Sequence, residues 1–168
     1  MSPQDSTYAS GAIEQPAAAK SRSTAPVSIA ICCLVIILAL VLGVGLASNL
    51  VLRHIVQTVP LWIGVALGFR RSRATSWVGL PLFLFWLTLM ALIWSYLLGI
   101  SHLLSGHFSR IEISMTIIVG AAAIIGIASF VRLESFLSLV TRVSLFVVVA
   151  VIQWVCFRLS FLPAIAHR

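Results

Sequence analysis

The chain has 168 residues, of which 61% are hydrophobic and 9% are charged, whereas a soluble domain is roughly 45–50% apolar and about 25% charged. This composition excludes an ordinary water-soluble domain and leaves room for about four to six membrane-spanning helices of about 20 residues each. The basic residues that give the formal charge of +7 are expected mainly in loops that face the cytoplasm. Nucleic acid is not an expected partner. The predicted fold class is all-α, a polytopic transmembrane helical bundle.

The N-terminal part of the chain is predicted to be a tail followed by the first span. Residues 1–26 are rich in Ser, Ala, Gln and Pro without periodic apolar positions, which predicts a disordered polar tail. The first span is predicted over residues 27–46. Small residues around Gly45 would also suit signal-peptide cleavage. Because the apolar region of a signal peptide is only about 7–15 residues long, we expect the segment to be retained.

The second span follows with almost no polar interruption. One helix over residues 27–69 would be about 65 Å long, about twice the hydrocarbon thickness, so the chain must turn back. Ser48 and Asn49 are good N-cap residues and predict that turn, with the second span over residues 50–69. The alternative is a four-span model in which residues 55–69 are re-entrant.

Two further spans are predicted in the middle of the chain. The third covers residues 77–100, with Thr75 and Ser76 as capping candidates. The fourth covers residues 111–131. Ser109 and Glu112 fit the capping-box pattern immediately before it, in which a hydroxyl and a carboxylate satisfy the first free amides of a helix.

The last part of the chain is predicted to contain an interfacial segment and the fifth span. Polar residues recur at helical spacing over residues 132–142, which is typical of an amphipathic segment lying at the membrane surface. The fifth span is predicted over residues 143–162, and residues 163–168 form a short C-terminal tail.

The distribution of Lys and Arg predicts the orientation. With five spans, seven of the eleven basic residues lie on the N-terminal side and four on the other, whereas the four-span model divides them five against six. Basic residues are enriched in cytoplasmic loops, so we expect five spans with a cytoplasmic N-terminus. The overall character resembles small bacterial inner-membrane proteins, and a multi-pass location in the cell membrane is expected.

A group of polar residues is predicted to share one membrane depth on the outer side. This candidate polar cluster consists of Arg53, His54, His102 and Glu112. Ionisable groups inside a membrane are costly and are therefore functional candidates. The alternative is that all four lie at the interface, with Glu112 serving as a cap. His54 and His102 also raise the hypothesis of a bis-histidine haem, although no cofactor and no metal site is predicted.

Small residues at four-residue spacing predict close helix packing. Gly64 and Gly68 form a GxxxG pattern in the second span, and Ala122 and Gly126 form a similar pair in the fourth. Such pairs let two helix backbones approach closely. They are expected either to pack against other spans of the same chain or to form an interface with a second copy or a partner.

No catalytic motif is present, and a Ser–His–Asp triad is excluded beyond the tail because the only Asp is Asp5. The chain is therefore not expected to be an enzyme. The leading hypothesis is an accessory, assembly or scaffold subunit of a membrane complex, with the lipid bilayer and a membrane-protein partner or a homo-oligomer as its contacts. The alternatives are a small oligomeric channel or carrier for an anionic or neutral solute, and a haem-binding or lipid-modifying membrane enzyme.

Overall fold

The computed structural model describes residues 24–100, 109–131 and 137–166. These residues form five helices that are long and apolar enough to cross a membrane, which confirms the predicted number of long apolar helices. A single helical turn, α6, follows the last of them, and the described residues contain no β-strand. The helices are α1 (Ala25–Leu38, continued by a π-helical segment Ala39–Gly45), α2 (Val51–Phe69), α3 (Thr75–Leu97), α4 (Arg110–Val131), α5 (Leu139–Leu159) and α6 (Pro163–Ala166).

The helices begin and end within about one turn of the predicted spans. Helix α1 begins at Ala25 inside the predicted tail, because Pro26 is well suited to the first turn of a helix. Helix α5 begins at Leu139, so residues 139–142 of the predicted interfacial segment are continuous with it. Residues 163–166 of the predicted tail form α6. Most of the predicted N-terminal tail and residues 132–136 of the predicted interfacial segment lie outside the described residues.

The expected turn between the first two spans is confirmed, but its expected caps are not. Asn49 has a φ of 55°, a left-handed conformation that Asn tolerates better than most residues. The Ser48 hydroxyl donates to the Val44 carbonyl at 2.7 Å and does not cap α2. The N-cap position of α2 is Leu50, which supplies no side-chain hydrogen bond. Thr75 and Ser76 likewise lie inside the first turn of α3 and do not cap it.

The order of neighbours in the bundle differs from the order along the chain. Helix α1 packs against α2 and α4, α3 packs against α4 and α5, and α5 also packs against α2. The helices therefore form a ring in the order α1, α2, α5, α3, α4, with further contacts from α3 to α1 and α2. Side chains from all five long helices contribute to the core, among them Ile36, Leu61, Phe83, Val119 and Val149.

Glycine residues bring the helices close together at the predicted positions. A Cβ atom on Gly68 would lie 2.6 Å from the Pro26 carbonyl oxygen, and one on Gly64 would lie 2.8 Å from the Cys33 Sγ. Both glycines therefore pack α2 directly against α1. A Cβ atom on Gly126 would lie 2.4 Å from the Phe83 ring, so α4 meets α3 there. Ala122, one turn earlier, is buried.

The two ends of the bundle have different chemistry. At the end where α1 and α3 begin, the Ser28 and Ser129 hydroxyls are hydrogen-bonded at 2.9 Å and join α1 to α4. Arg70, Arg71 and Arg73 follow α2 at this end, which we call the arginine end. At the opposite end, where α2 and α4 begin and α3 and α5 finish, the helices enclose a cavity. We call it the cavity end.

Candidate functional site

The first two turns of α2 present polar side chains to the interior of the bundle. Gln57 lies four residues after Arg53 and three after His54, and either spacing places two side chains on one side of a helix. His54 and Gln57 are buried, and Arg53 is half-buried. Leu61 continues the same buried face one turn further on. The face of α2 that packs against the bundle is therefore polar at the cavity end and apolar beyond it.

The orientation of the His54 ring is fixed by its own helix. Its Nδ1 lies 2.9 Å from the Leu50 carbonyl oxygen, and because a carbonyl only accepts, Nδ1 carries the hydrogen. In the neutral imidazole, the other ring nitrogen, Nε2, is then a hydrogen-bond acceptor. His54 thus combines a satisfied donor with an acceptor that remains available.

Arg53 has an aromatic partner in place of a carboxylate. Its guanidinium carbon lies 4.0 Å from the centre of the Phe161 ring, in the turn after α5. This is a cation–π contact, which attracts a cation to the face of the ring. The Arg53 Nε is buried and has no hydrogen-bond partner among the described residues. Arg53 also lines the cavity, and it is the only charged residue in the first turns of α2.

A buried network of polar side chains joins α2 to α5 beside the cavity. The Gln57 side-chain amide donates to the Ser160 hydroxyl at 2.9 Å, and that hydroxyl donates to the Phe157 carbonyl at 2.6 Å. The Gln153 amide donates to the Gln57 carbonyl at 3.2 Å. Gln153 is fully buried, and its Oε1 has no partner within the described ranges. The network holds the end of α5 against the start of α2.

Glu112 has the predicted capping role at the start of α4. Its Oε2 accepts the Ser109 amide hydrogen at 2.7 Å, and the Ser109 hydroxyl accepts the Glu112 amide hydrogen at 3.2 Å. The capping box is therefore confirmed. Within the part of the chain that the structure describes, Glu112 is not ion-paired with Arg53. Its carboxylate lines the cavity while remaining tied to the N-terminus of α4.

The cavity itself has a volume of about 450 Å³ and is lined by the π-helical segment and by α2, α3, α4 and α5. Arg53, His54 and Glu112 of the candidate polar cluster all line it, so the structure brings these three residues to one site. Its apolar wall comes mainly from α3 and α4. Among the residues of that wall are Leu89, Met90, Ile93, Met115 and Val119.

Polarity falls along the cavity from its mouth to its floor. Arg53 and Glu112 lie in the first turns of α2 and α4, and we call this level of the cavity its mouth. Leu40, Trp86 and Val119 lie further along their helices into the bundle, and we call this level its floor. Seven residues separate Glu112 from Val119 on α4, which corresponds to about 10 Å along the helix axis. Trp86 is only 2% exposed, and its indole N–H has no acceptor among the described residues. This N–H has essentially no accessible surface, so the floor that the cavity exposes is apolar.

Part of the sequence-based hypothesis about this end of the bundle lies outside the described residues. His102 and His107 are in the segment between Ile100 and Ser109, which the structure does not describe. The haem hypothesis required His102 beside His54 and stays untested. No group of three His, Cys, Asp or Glu side chains is placed to hold a metal ion in the described ranges.

Sequence reasoning missed several residues that belong to this site. Gln57 could have been found, because it lies four residues after Arg53 and three after His54 on the same helix face. Trp86 and Phe161 gave no such signal. Each reaches the cavity only because α3 and α5 are neighbours in the ring, and an apolar sequence does not specify which helices are neighbours.

A second, more open depression of about 590 Å³ lies on the outside of the bundle between α1 and α4. Its wall is apolar except for Thr24, Ser28 and Arg71 near the arginine end. Ser28 is already bonded to Ser129. The cavity between α2, α3, α4 and α5 is the better candidate site, because Arg53, His54 and Glu112 all line it.

The cavity combines an apolar interior with a few polar groups near its mouth, an arrangement typical of small-molecule sites. Its volume also falls within the range of about 300–1,000 Å³ expected of such sites. No family model matches this chain, and no curated protein or solved structure is significantly similar to it.

Proposed function

We propose that the five helices span a lipid bilayer, with the N-terminus and the arginine end in the cytoplasm and the cavity end on the outer side. Their length and apolar composition support insertion. The outward face of α5 supports it as well, since Val147, Val151 and Trp154 are more than half exposed. The three arginines after α2 support the orientation, because basic residues are retained on the cytoplasmic side.

Within that membrane domain, the cavity binds a small anionic or neutral solute, and the protein acts as a carrier or channel for it. The Arg53 guanidinium is the observation that supports this function, because Arg53 lines the cavity and contacts the Phe161 ring without an ion pair among the described residues. A solute that supplies an acceptor to this guanidinium forms a charge-assisted hydrogen bond, which is stronger than a neutral one.

The experiment that tests solute binding is a comparison of thermal unfolding with and without ligand. A ligand that binds only the folded protein stabilises it by about 2.7 kcal/mol at one hundred times its Kd. Decanoate, benzoate, decanol and glycerol are added separately to the purified protein in a mild detergent. We expect at least one of them to raise the unfolding temperature.

Two substitutions on α3 show whether the cavity is the site of that effect. Leu89→Trp fills the cavity, because Leu89 lines it, and should abolish the shift. Leu84→Trp adds the same side chain on the outside of the same helix, where Leu84 is 40% exposed, and should retain it. The function is contradicted if none of the four solutes stabilises the protein, or if the two variants respond alike.

A second candidate is the accessory, assembly or scaffold subunit, which the packing of α5 favours. Only Val149 and Gln153 of its 21 residues are buried, far fewer than in α1, α2 or α3. A helical membrane protein that covers α5 would complete its burial. Affinity purification in mild detergent, followed by mass spectrometry, tests this function. A stoichiometric partner that is lost on Val151→Trp supports it, and a protein that purifies alone contradicts it.

A further inference from the structure

The geometry points to the chemical class of the solute, and this inference rests on the proposed function of the cavity. We propose that the cavity binds an amphiphile with one anionic headgroup, a carboxylate or a phosphate, attached to an apolar body. The headgroup lies at the mouth beside Arg53, and the apolar body extends towards Trp86. The charge at the mouth, the shape of the cavity and the chemistry of its wall each support one part of this assignment.

The charge at the mouth selects an anion. Arg53 is held by the Phe161 ring and not by an acid, so its positive charge is not neutralised by a carboxylate of the described chain. A guanidinium binds a carboxylate or phosphate through charge-assisted hydrogen bonds, about twice as strong as neutral ones.

Glu112 also lines the mouth, and its negative charge must be compatible with an anionic ligand. One of its oxygens accepts the Ser109 amide hydrogen at 2.7 Å in the capping box. The carboxylate also lies at the N-terminus of α4, where the helix dipole carries a partial positive charge that offsets it. Glu112 is thus already compensated by its own helix, whereas Arg53 is not.

The depth and wall of the cavity select an apolar body. Behind the mouth, the wall is apolar apart from Thr116 over about 10 Å of α4 and over the facing turns of α3, including Leu89, Met90 and Ile93. A free inorganic anion would occupy only a small part of the 450 Å³. It would leave the apolar wall without contacts. An acyl chain or aromatic group fills this space and buries apolar surface, which is favourable by about 25 cal/mol per Å².

The test compares three probes that share one apolar tail. Saturable binding of labelled decanoate, decanol and decyltrimethylammonium is measured on the full-length protein in nanodiscs of neutral phosphatidylcholine. Empty nanodiscs correct for partition into the lipid. Because only the headgroup differs, we expect decanoate to bind at least about tenfold more tightly than decanol. We expect no saturable binding of the cation.

Substitutions of Arg53 test whether its charge causes the preference for decanoate over decanol. Arg53→Gln should weaken decanoate binding about tenfold and leave decanol binding at the wild-type level, which also shows that the cavity is still folded. Arg53→Lys should keep part of the preference, because it keeps the charge without the planar group. Arg73→Gln removes a charge at the arginine end and should change neither probe.

The two sources of an anionic headgroup are separated by the lipid of the nanodisc. If replacing part of the phosphatidylcholine by phosphatidylglycerol displaces decanoate, the class is supported and the bilayer supplies the ligand. If decanoate binding is unchanged, the class is supported with a free amphiphile as ligand. Equal affinity for decanoate and decanol, or an Arg53→Gln variant that binds decanoate like the wild type, overturns the assignment of an anionic class but leaves the cavity as a site. Absence of saturable binding for all three probes overturns the proposed function as well.

Discussion

The guanidinium of Arg53 lies on the face of the Phe161 ring, with 4.0 Å between its central carbon and the ring centre. Arg53 is in the first turn of α2 and Phe161 follows α5, two helices that are far apart in the sequence and adjacent in the ring. The Phe161 ring in turn packs against Phe157 at 5.0 Å between ring centres. The cation at the mouth of the cavity is therefore positioned by an aromatic pair at the end of α5.

Replacement of Phe161 tests that positioning. Phe161→Leu keeps an apolar side chain but removes the ring, so Arg53 loses an attraction worth about 0.5–1 kcal/mol. We expect decanoate affinity to fall about two- to fivefold, which corresponds to that energy, with no change for decanol. Phe69→Leu, an exposed position at the arginine end, is the control. Equal loss for both probes would mean that Phe161 shapes the cavity without acting through Arg53.

The hydrogen bond between Gln57 and Ser160 can be measured with a double-mutant cycle. Interhelical hydrogen bonds in membrane proteins contribute about 0.6 kcal/mol on average and up to about 1.7 kcal/mol. We expect a coupling free energy in this range between Gln57→Leu and Ser160→Ala in unfolding experiments. Gln57→Leu combined with Ser129→Ala at the opposite end should give none. A coupling near zero for the first pair would show that the bond does not hold α5 in place.

Two glycine substitutions separate helix packing from helix propensity. Gly68→Ala places a Cβ atom 2.6 Å from the Pro26 carbonyl oxygen, whereas the nearest atom to a Cβ on Gly120 is 4.0 Å away. Both changes gain about 1 kcal/mol of helix propensity, but only Gly68→Ala adds the cost of overpacking, about 1–3 kcal/mol. We expect Gly68→Ala to be less stable than Gly120→Ala by that amount in thermal or denaturant unfolding. Equal stabilities would contradict the close contact between α1 and α2.

Removal of the arginines after α2 tests the proposed orientation. The triple variant Arg70→Gln, Arg71→Gln, Arg73→Gln reduces the basic residues on the N-terminal side from seven to four, against four on the other side. Without a charge difference, we expect a mixed orientation in the membrane. Reporter fusions at the C-terminus that are active on only one side of the membrane measure it. A wild-type fusion active only on the cytoplasmic side would contradict the proposed orientation.

The sequence predicted the long helices and the capping box because both depend on local patterns. Glu112 and Ser109 are three residues apart and satisfy each other without help from the rest of the fold. The fifth span was predicted to begin at residue 143, four residues after the start of α5, because the polar residues that recur up to Arg142 indicated an interfacial segment. In the structure the Arg142 Nε donates to the Leu137 carbonyl at 2.7 Å, and its guanidinium lies 5.6 Å from the centre of the Trp77 ring.

The cavity could be predicted only in part. Arg53, His54 and Glu112 were grouped because they begin spans at the same end of the bundle, and the structure places all three at the cavity. The face of α5 that packs against the bundle could not be predicted from its sequence, because most of its surface is apolar and its buried residues are only Val149 and Gln153. The contribution of Trp86 depends on the same ring order and was not predicted for the same reason.

The most direct test of the central claim, that the cavity is a binding site, is quenching of tryptophan fluorescence by a brominated decanoate. Trp86 lines the floor of the cavity, whereas Trp62 is 52% exposed on the outside of α2. A ligand in the cavity should give a saturable component of quenching that Trp86→Phe removes and Trp62→Phe retains. Quenching that rises in proportion to the probe in the lipid, and that is unchanged by Trp86→Phe, would contradict binding in the cavity.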